Sequence, residues 1–415
     1  MNKEFFKENR KNLISKLEDN SVTVLFSGNA PYKSADGQYP FVQNRNFYYV
    51  TGFPRENAVF MVFKEDGKVI ERLYIERQDP IMAKWVGERL SVDEAKELTG
   101  IDEIKYIDEF ESDFGRIGVS SIDYETLYLD LERQEFNIRN SEPIEFSKVA
   151  ISRYPYLRIK NIFSYIAELR MIKREAEVEL TKKAIEITKE GIYNMMKHSK
   201  ECKNECELEA WFDFTLRKNG IKFTAFDTII GSGKNGTVLH YADNNSEIEE
   251  GSLVLLDLGA QYKLYNADIS RTFPANGKFT ERQKEVYNKV LNAMKKVEEA
   301  AKPGVTFEEI EEVAKNELAK GCVELGLIKD EKDVTKYYFH HVTHHLGLDD
   351  HDVGSYNIEI KEGMMISNEP GLYIPEEKIG IRIEDDLLIT KDGCINLAKD
   401  IIREVDDIEK LMNEK

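Results

Sequence analysis

The sequence predicts an α/β protein of α+β type, with a small α/β domain over residues 1–160 and a larger domain over 161–415. The larger domain should contain one helix–helix–strand unit twice. Three features lead to this. A chain of 415 residues is too long for one ordinary hydrophobic core. Near Lys173 the pattern changes from short apolar runs to long amphipathic stretches. Beyond that point, helix-start signals recur after about a hundred residues.

In the first domain, Ser21–Ser27, Ala58–Phe63, Leu73–Glu76 and Leu127–Leu131 are rich in β-branched and aromatic residues and read as strands. No cofactor motif accompanies them. Gly231-Ser232-Gly233, further on, lacks the third Gly of a dinucleotide fingerprint and the Lys-Ser/Thr of a phosphate loop. Lys173–Lys197 has helical periodicity, and Asn204 with Glu207 opens a second helix that should end near Gly220. Thr280 with Gln283, then Thr306 with Glu309, repeat the capping signal, and the last of these helices should end near Gly326. Strand-like sequence follows each helix pair: Phe223–Ile230 and Leu253–Tyr262, then Gly363–Ile374 and Ile379–Thr390.

Composition removes several function classes. With 58 Lys and Arg against 77 Asp and Glu, the formal charge is −19, which argues against a broad nucleic-acid interface. The first residues, MNKEFFKENRKN, hold no apolar core of secretory length, and no stretch approaches a membrane span. Cys202, Cys206, Cys322 and Cys394 are too scattered for a disulfide framework. Cys202 and Cys206 could present two ligands on one helix, but no further nearby Cys or His completes a site. A cytoplasmic protein is expected.

The chemistry concentrates in the second domain. Five of the seven histidines (His340, His341, His344, His345 and His351) fall within twelve residues, and His240 is a sixth. Histidine is the commonest metal ligand and the proton carrier of neutral pH. Asp257 interrupts the apolar run Leu253–Leu258, where an isolated carboxylate is costly. A reversal at Tyr262-Lys263 would set Asp257 directly opposite Asp268, although Gln261–Tyr265 has no Gly, Asn or Pro to turn on. In the second half, alternation puts Arg382 and Glu384 on one face of Ile379–Ile383, and Glu369 closes the preceding strand. Glu369 and Glu384 follow Asp257 and Asp268 at offsets of 112 and 116, so each half supplies two acids. Asp385 and Asp386 read as surface charges. Four carboxylates with an imidazole form a hard, oxygen-rich donor set that favours Mn²⁺, with Co²⁺ or Zn²⁺ as substitutes. Such a set can hold two ions. A helical His-Glu-x-x-His zinc motif is ruled out by His341 at the Glu position.

The stretches LLDLGAQYKLYNADISRTFPANGKFT, FHHVTHHLGLDDHDVG, SNEPGLYI and GIRIEDD resemble the pita-bread metallopeptidases, specifically the aminopeptidase P (Xaa-Pro aminopeptidase) group and the related Xaa-Pro dipeptidases. QYPFVQNRNFYYVTGF resembles the non-catalytic amino-terminal domain of aminopeptidase P. The resemblance covers nearly the whole chain. It implies a duplicated pita-bread catalytic domain with two divalent ions. Their ligands would be Asp257, Asp268, His344, Glu369 and Glu384, with Asp268 and Glu384 bridging. It implies His240 near the scissile bond, His340 and His351 lining the proline side, and Arg382 behind the ligands on the substrate side. His341 and His345 depart from the Gly and Trp frequent in relatives and are not expected as ligands. The implied reaction releases the residue preceding proline by attack of a metal-bridging hydroxide. Glu369 would relay the proton, and His240 and His351 would steady the tetrahedral intermediate. Peptides beginning Xaa-Pro are the implied partners, and a homo-oligomer, dimer or tetramer, is expected. Dipeptidase activity (prolidase) is the alternative. Metal-free creatine-type hydrolases and ligand-less binding proteins share the fold, but all five ligand positions are filled here. Methionine aminopeptidases lack such an amino-terminal domain.

Overall fold

A computed structural model describes residues 1–132 and 136–414. The chain divides into two compact units, Met1–Arg170 and Met171–Lys415.

The first unit is built on a mixed six-stranded sheet. Its strands run in the order Glu103–Tyr106, Lys68–Ile75, Val59–Glu65, Ser21–Phe26, Thr126–Leu129 and Arg158–Asn161. Ser21–Phe26 is central and buried at every position, which explains its near-continuous apolar sequence. Val22, Val24 and Phe26 pack with Met61, Phe110, Phe114 and Leu129. Burying each such side chain contributes roughly 1.5–3 kcal/mol. The amino-terminal helix Lys3–Ser15 buries Phe5, Phe6, Leu13 and Ile14.

In the second unit the duplication is visible as two helix pairs, Glu175–His198 with Glu205–Lys218 and Glu281–Ala300 with Phe307–Glu324. The expected start signals are used. Asn204 accepts from the Cys206 amide, and Thr280/Gln283 and Thr306/Glu309 close full capping boxes. Gly220 and Gly326 both follow their helices at φ +73°, a left-handed stop that glycine adopts without strain. Behind the helices lie two small antiparallel sheets. One runs Ile269–Pro274, Leu253–Leu258, Ile229–Ser232, and the other Met365–Asn368, Asp385–Ile389, Cys394–Asn396. A hairpin pairs Gly371–Ile374 with Ile379–Arg382. One apolar core takes residues from both helix pairs, including Met195, Phe212, Val286, Met294 and Leu318.

Two expectations are corrected here. The run Phe223–Ile230 forms a strand only at its end, Ile229–Ser232. The Asp257–Asp268 reversal also sits one residue later than expected. Tyr262 pairs with Tyr265, and Lys263 and Leu264 turn the chain at φ +49° and +73°. This is the doubly left-handed geometry of a tight hairpin, adopted without Gly or Asn at a cost of about 1 kcal/mol or more per residue. Asp257 therefore faces Ser270, and Asp268 stands diagonally two residues away.

Candidate metal centre

Backbone pairing brings the acids of both halves together. Residues 342–346 run alongside 365–369. The Ser367 amide donates to His344 O at 3.0 Å, and the Glu369 amide to Val342 O at 2.9 Å. The Glu384 amide donates to Ser270 O at 3.0 Å, joining the second half to the strand opposite Asp257. The histidine-bearing loop is held by a buried ion pair, Lys173 Nζ to Asp352 Oδ2 at 2.9 Å.

Asp268, His344 and Glu384 present ligand atoms that all lie within 4.8 Å of one another. His344 Nε2 is 3.2 Å from Asp268 Oδ2 and 3.4 Å from Glu369 Oε1. Its Nδ1 donates to the His345 carbonyl at 3.0 Å, which fixes the tautomer and leaves Nε2 turned toward the acids. Arg382 Nη2 donates to Asp257 Oδ2 at 2.5 Å, and its Nε donates to Ser270 Oγ at 2.8 Å. Ser270 Oγ in turn donates to Glu384 Oε2 at 2.7 Å.

This cluster is under-neutralised. Burial lifts Asp257 to about 6 against the pull of Arg382, and Glu369 to about 7 against the pull of His344 and Arg382. Burial and the charges of Asp268 and Glu369 carry Glu384 well above the carboxylate range. Only Asp268 is held low, because its hydrogen bond with His344 and that residue's charge outweigh burial. The same contacts raise His344 to about 9, although burial alone would lower it. Asp257 Oδ1 and Glu384 Oε1 are buried without any donor. Unsatisfied buried carboxylate oxygens are expensive unless a cation completes them. The donor chemistry fits divalent ions bound through oxygen and one imidazole.

The remaining histidines separate by environment. His340 donates from Nδ1 to the His341 carbonyl at 2.8 Å, and its Nε2 accepts from Tyr373 Oη at 2.9 Å. Arg382 Nη1 donates to the same hydroxyl at 3.0 Å, so Tyr373 links Arg382 to His340. His351 is largely exposed, with its ring centroid 4.2 Å from that of His344. His240 lies in an exposed loop position. It is close enough for its charge to add to the lowering of His340, in which burial is the larger cause. His341 points outward, and His345 packs against Phe307 and Tyr356 rather than facing the acids.

Three acids beside the cluster were missed. Asp385 and Asp386 are fully buried, so the expectation of surface charges is wrong. Asp385 pairs with Arg271 and Arg403, while Asp386 Oδ2 accepts from the Asp268 amide at 3.2 Å and its Oδ1 has no donor. The signal was available, since Asp386 lies two residues from Glu384 and alternation puts both on one face. Asp350 also turns toward Asp268, and burial followed by that neighbour's charge pushes it well up. Its place beside His351 was the only hint.

The model of metallopeptidase family M24 matches residues 179–391. The chain belongs to metallopeptidase family M24. Residues 6–123 match the aminopeptidase P amino-terminal domain. Along its length this M24 chain is 31% identical to an Xaa-Pro aminopeptidase of Haemophilus influenzae, over 99% of this chain and 97% of that one. It is 32% identical to the Xaa-Pro aminopeptidase of Escherichia coli, over 98% and 97%. Among solved structures, a Bacillus anthracis protein assigned as an aminopeptidase P superposes with TM-score 0.98 at 52% identity, covering 99% of this chain and 98% of that one. Zinc-substituted E. coli aminopeptidase P in complex with product does so with TM-score 0.90 at 30% identity, again over 99% and 98%. The expected fold, a small α/β domain ahead of a pita-bread catalytic domain, is therefore the fold of this M24 member. Membership of a metallopeptidase family implies divalent metal ions. No helix among the described residues is long and apolar enough to cross a membrane.

Proposed function

We propose that this protein is an Xaa-Pro aminopeptidase that releases the amino-terminal residue from peptides with proline second. The observation that carries this is the buried cluster of Asp268, His344 and Glu384, with half-buried Asp257 and Glu369 beside it and unsatisfied oxygens on Asp257 and Glu384, in a chain matched over nearly its whole length by Xaa-Pro aminopeptidases. Those five residues would hold two divalent ions, Mn²⁺ by donor chemistry. Ions there would acidify a water and polarise the carbonyl that precedes proline.

The chain's own groups account for the rest. Glu369, with Oε1 3.4 Å from His344 Nε2, would relay the proton to the leaving prolyl nitrogen. His240 and His351 would donate to the oxygen on which charge develops. A proline amide offers no N–H, so recognition falls to ring contacts, for which His340 beside Tyr373 supplies aromatic surface. Arg382 balances Asp257 and orients Tyr373. Residues 1–160 would form a non-catalytic domain. The four free cysteines suit a reducing compartment, the cytoplasm. Exposed Ile81, Trp85 and Val86 suit assembly into a homo-oligomer, which light scattering measures directly.

The test is hydrolysis by metal-reconstituted enzyme of Xaa-Pro-Yaa, Xaa-Pro and Xaa-Ala-Yaa peptides. Release of the first residue from Xaa-Pro-Yaa alone, or far fastest, is expected. Preference for the dipeptide would make it a dipeptidase, the less favoured reading, and equal cleavage of the alanine peptide would remove proline specificity.

A further inference from the structure

We propose that Glu205 is a positioning residue for His240, holding that imidazole at the scissile bond through a five-donor clamp. Glu205 is the first residue of the helix Glu205–Lys218 and is fully buried. Its Oε1 accepts from the Ser232 amide at 2.7 Å, from Ser232 Oγ at 2.8 Å and from Asn235 Nδ2 at 3.1 Å. Its Oε2 accepts from Tyr241 Oη at 2.8 Å and from the Ser246 amide at 3.0 Å. A carboxylate offers about four lone-pair sites, so this one is saturated.

The position of the donors gives the clamp its meaning. Ser232 and Asn235 precede His240, Tyr241 follows it directly, and Ser246 closes the loop. Residues 238–246 contain no strand or helix, so backbone pairing does not fix the imidazole. The loop is pinned at its base, where a Cβ on Gly380 would fall 1.8 Å from Gly236 O and thus could not be accommodated. Asn244 ties the far side, bonding the Ile230 amide and the Thr228 carbonyl. Between those anchors, Leu239 and Tyr241 flank His240 and pack against Ile229, Leu255 and Tyr373, and the Tyr241 hydroxyl is held by Glu205 and by Ser246 Oγ. Charge-assisted bonds to a buried carboxylate are shorter and stiffer than neutral ones. A displacement of about 1 Å at a catalytic group can cost about 10² in rate.

This rests on the role proposed above for His240, and the experiment separates the two. Glu205→Gln keeps the shape but sets an NH₂ group against donors, so the clamp opens on one side. On an Xaa-Pro-Yaa peptide it should lose about 10- to 100-fold in kcat with little change in KM and with full metal stoichiometry. In a His240→Ala background it should cost almost nothing further, because the group it positions is already gone. Tyr241→Phe, which leaves Glu205 and four donors in place, should show the same signature at a few-fold, and it decides the matter if Glu205→Gln does not fold. If His240→Ala is impaired but Glu205→Gln and Tyr241→Phe turn over like wild type, the clamp has no positioning role. Full additivity of Glu205→Gln with His240→Ala, or loss of metal in either clamp variant, also overturns it. If His240→Ala itself is fully active, the failure lies in the role of His240.

Discussion

Glu384 and Asp385 are adjacent, acidic and buried, yet the fold treats them in opposite ways. Asp385 has both oxygens engaged: Oδ1 with Arg271 at 2.6 Å, and Oδ2 with Arg403 at 2.9 Å and Asn396 at 2.6 Å. Glu384 has Ser270 on Oε2 and nothing on Oε1. The two side chains meet different neighbours, Asp385 fixed cations of the protein and Glu384 other acids. Burial therefore does not distinguish a structural acid from a ligand. The inventory of donors separates these two. Glu205, saturated by five donors, stands with Asp385, while Asp257, like Glu384, keeps one buried oxygen without a donor.

The sharpest way to break this contrast is to truncate one member of each class. Glu384→Ala or Asp268→Ala should abolish turnover and lower metal content. Asp385→Asn should keep its metal but lose about 3 kcal/mol of stability, as expected when a buried ion pair is disrupted. Metal analysis with denaturant unfolding reads both, and a fully metallated, active Glu384→Ala protein would collapse the distinction. Next in size, His240→Ala and His351→Ala should lose roughly 10²–10³-fold in turnover and keep their ions, since each removes a transition-state donor. His344→Ala should lose at least one ion, with activity partly restored by excess Mn²⁺. The reverse pattern of stoichiometries would invert the division between donor and ligand.

A pH experiment tests the same contrast in metal-free protein. Glu369 and Asp257 are raised to about 7 and about 6 in the folded state, so the folded form binds more protons than the unfolded chain between roughly pH 4 and 7. Stability of the chelated protein should fall as pH rises through that window. Bound ions replace the protons, so the metal-loaded protein should gain affinity and stability over the same range. Melting temperatures with and without chelator check this, and a chelated protein that becomes steadily more stable from pH 4 to 7 would contradict the charge imbalance. The smallest expected effect is that of Arg382→Lys. It keeps a cation near Asp257 but gives up the fork to Ser270 and Tyr373, so turnover should drop about tenfold with both ions retained. Loss of metal there would make Arg382 part of the cage itself.

Much of this was legible in the chain. Capping pairs such as Thr280/Gln283 and the glycines at 220 and 326 announced the helices, because those signals depend only on neighbours in sequence. The grouping of Asp257, Asp268, His344, Glu369 and Glu384 followed from spacing, alternation and motif resemblance together. The hairpin register did not, because Lys263 and Leu264 adopt left-handed backbone without the residues that usually mark it. Asp385 was misjudged because its partners, Arg271 and Arg403, are distant in sequence. Glu205 left a usable trace: with Leu208, Phe212 and Leu216 it falls on the buried face of its helix, where an acid at that register has to be paired.

The acids of the cage are also far apart along the chain, with Glu384 lying 127 positions after Asp257. A ribosome must deliver nearly all of the polypeptide before the last of the five proposed donors emerges, so the complete set cannot assemble until synthesis is almost finished. A fragment ending before residue 384 would carry Asp257, Asp268, His344 and Glu369 yet lack the acid that closes the cage, and it would add nothing to the cell's stock of active peptidase.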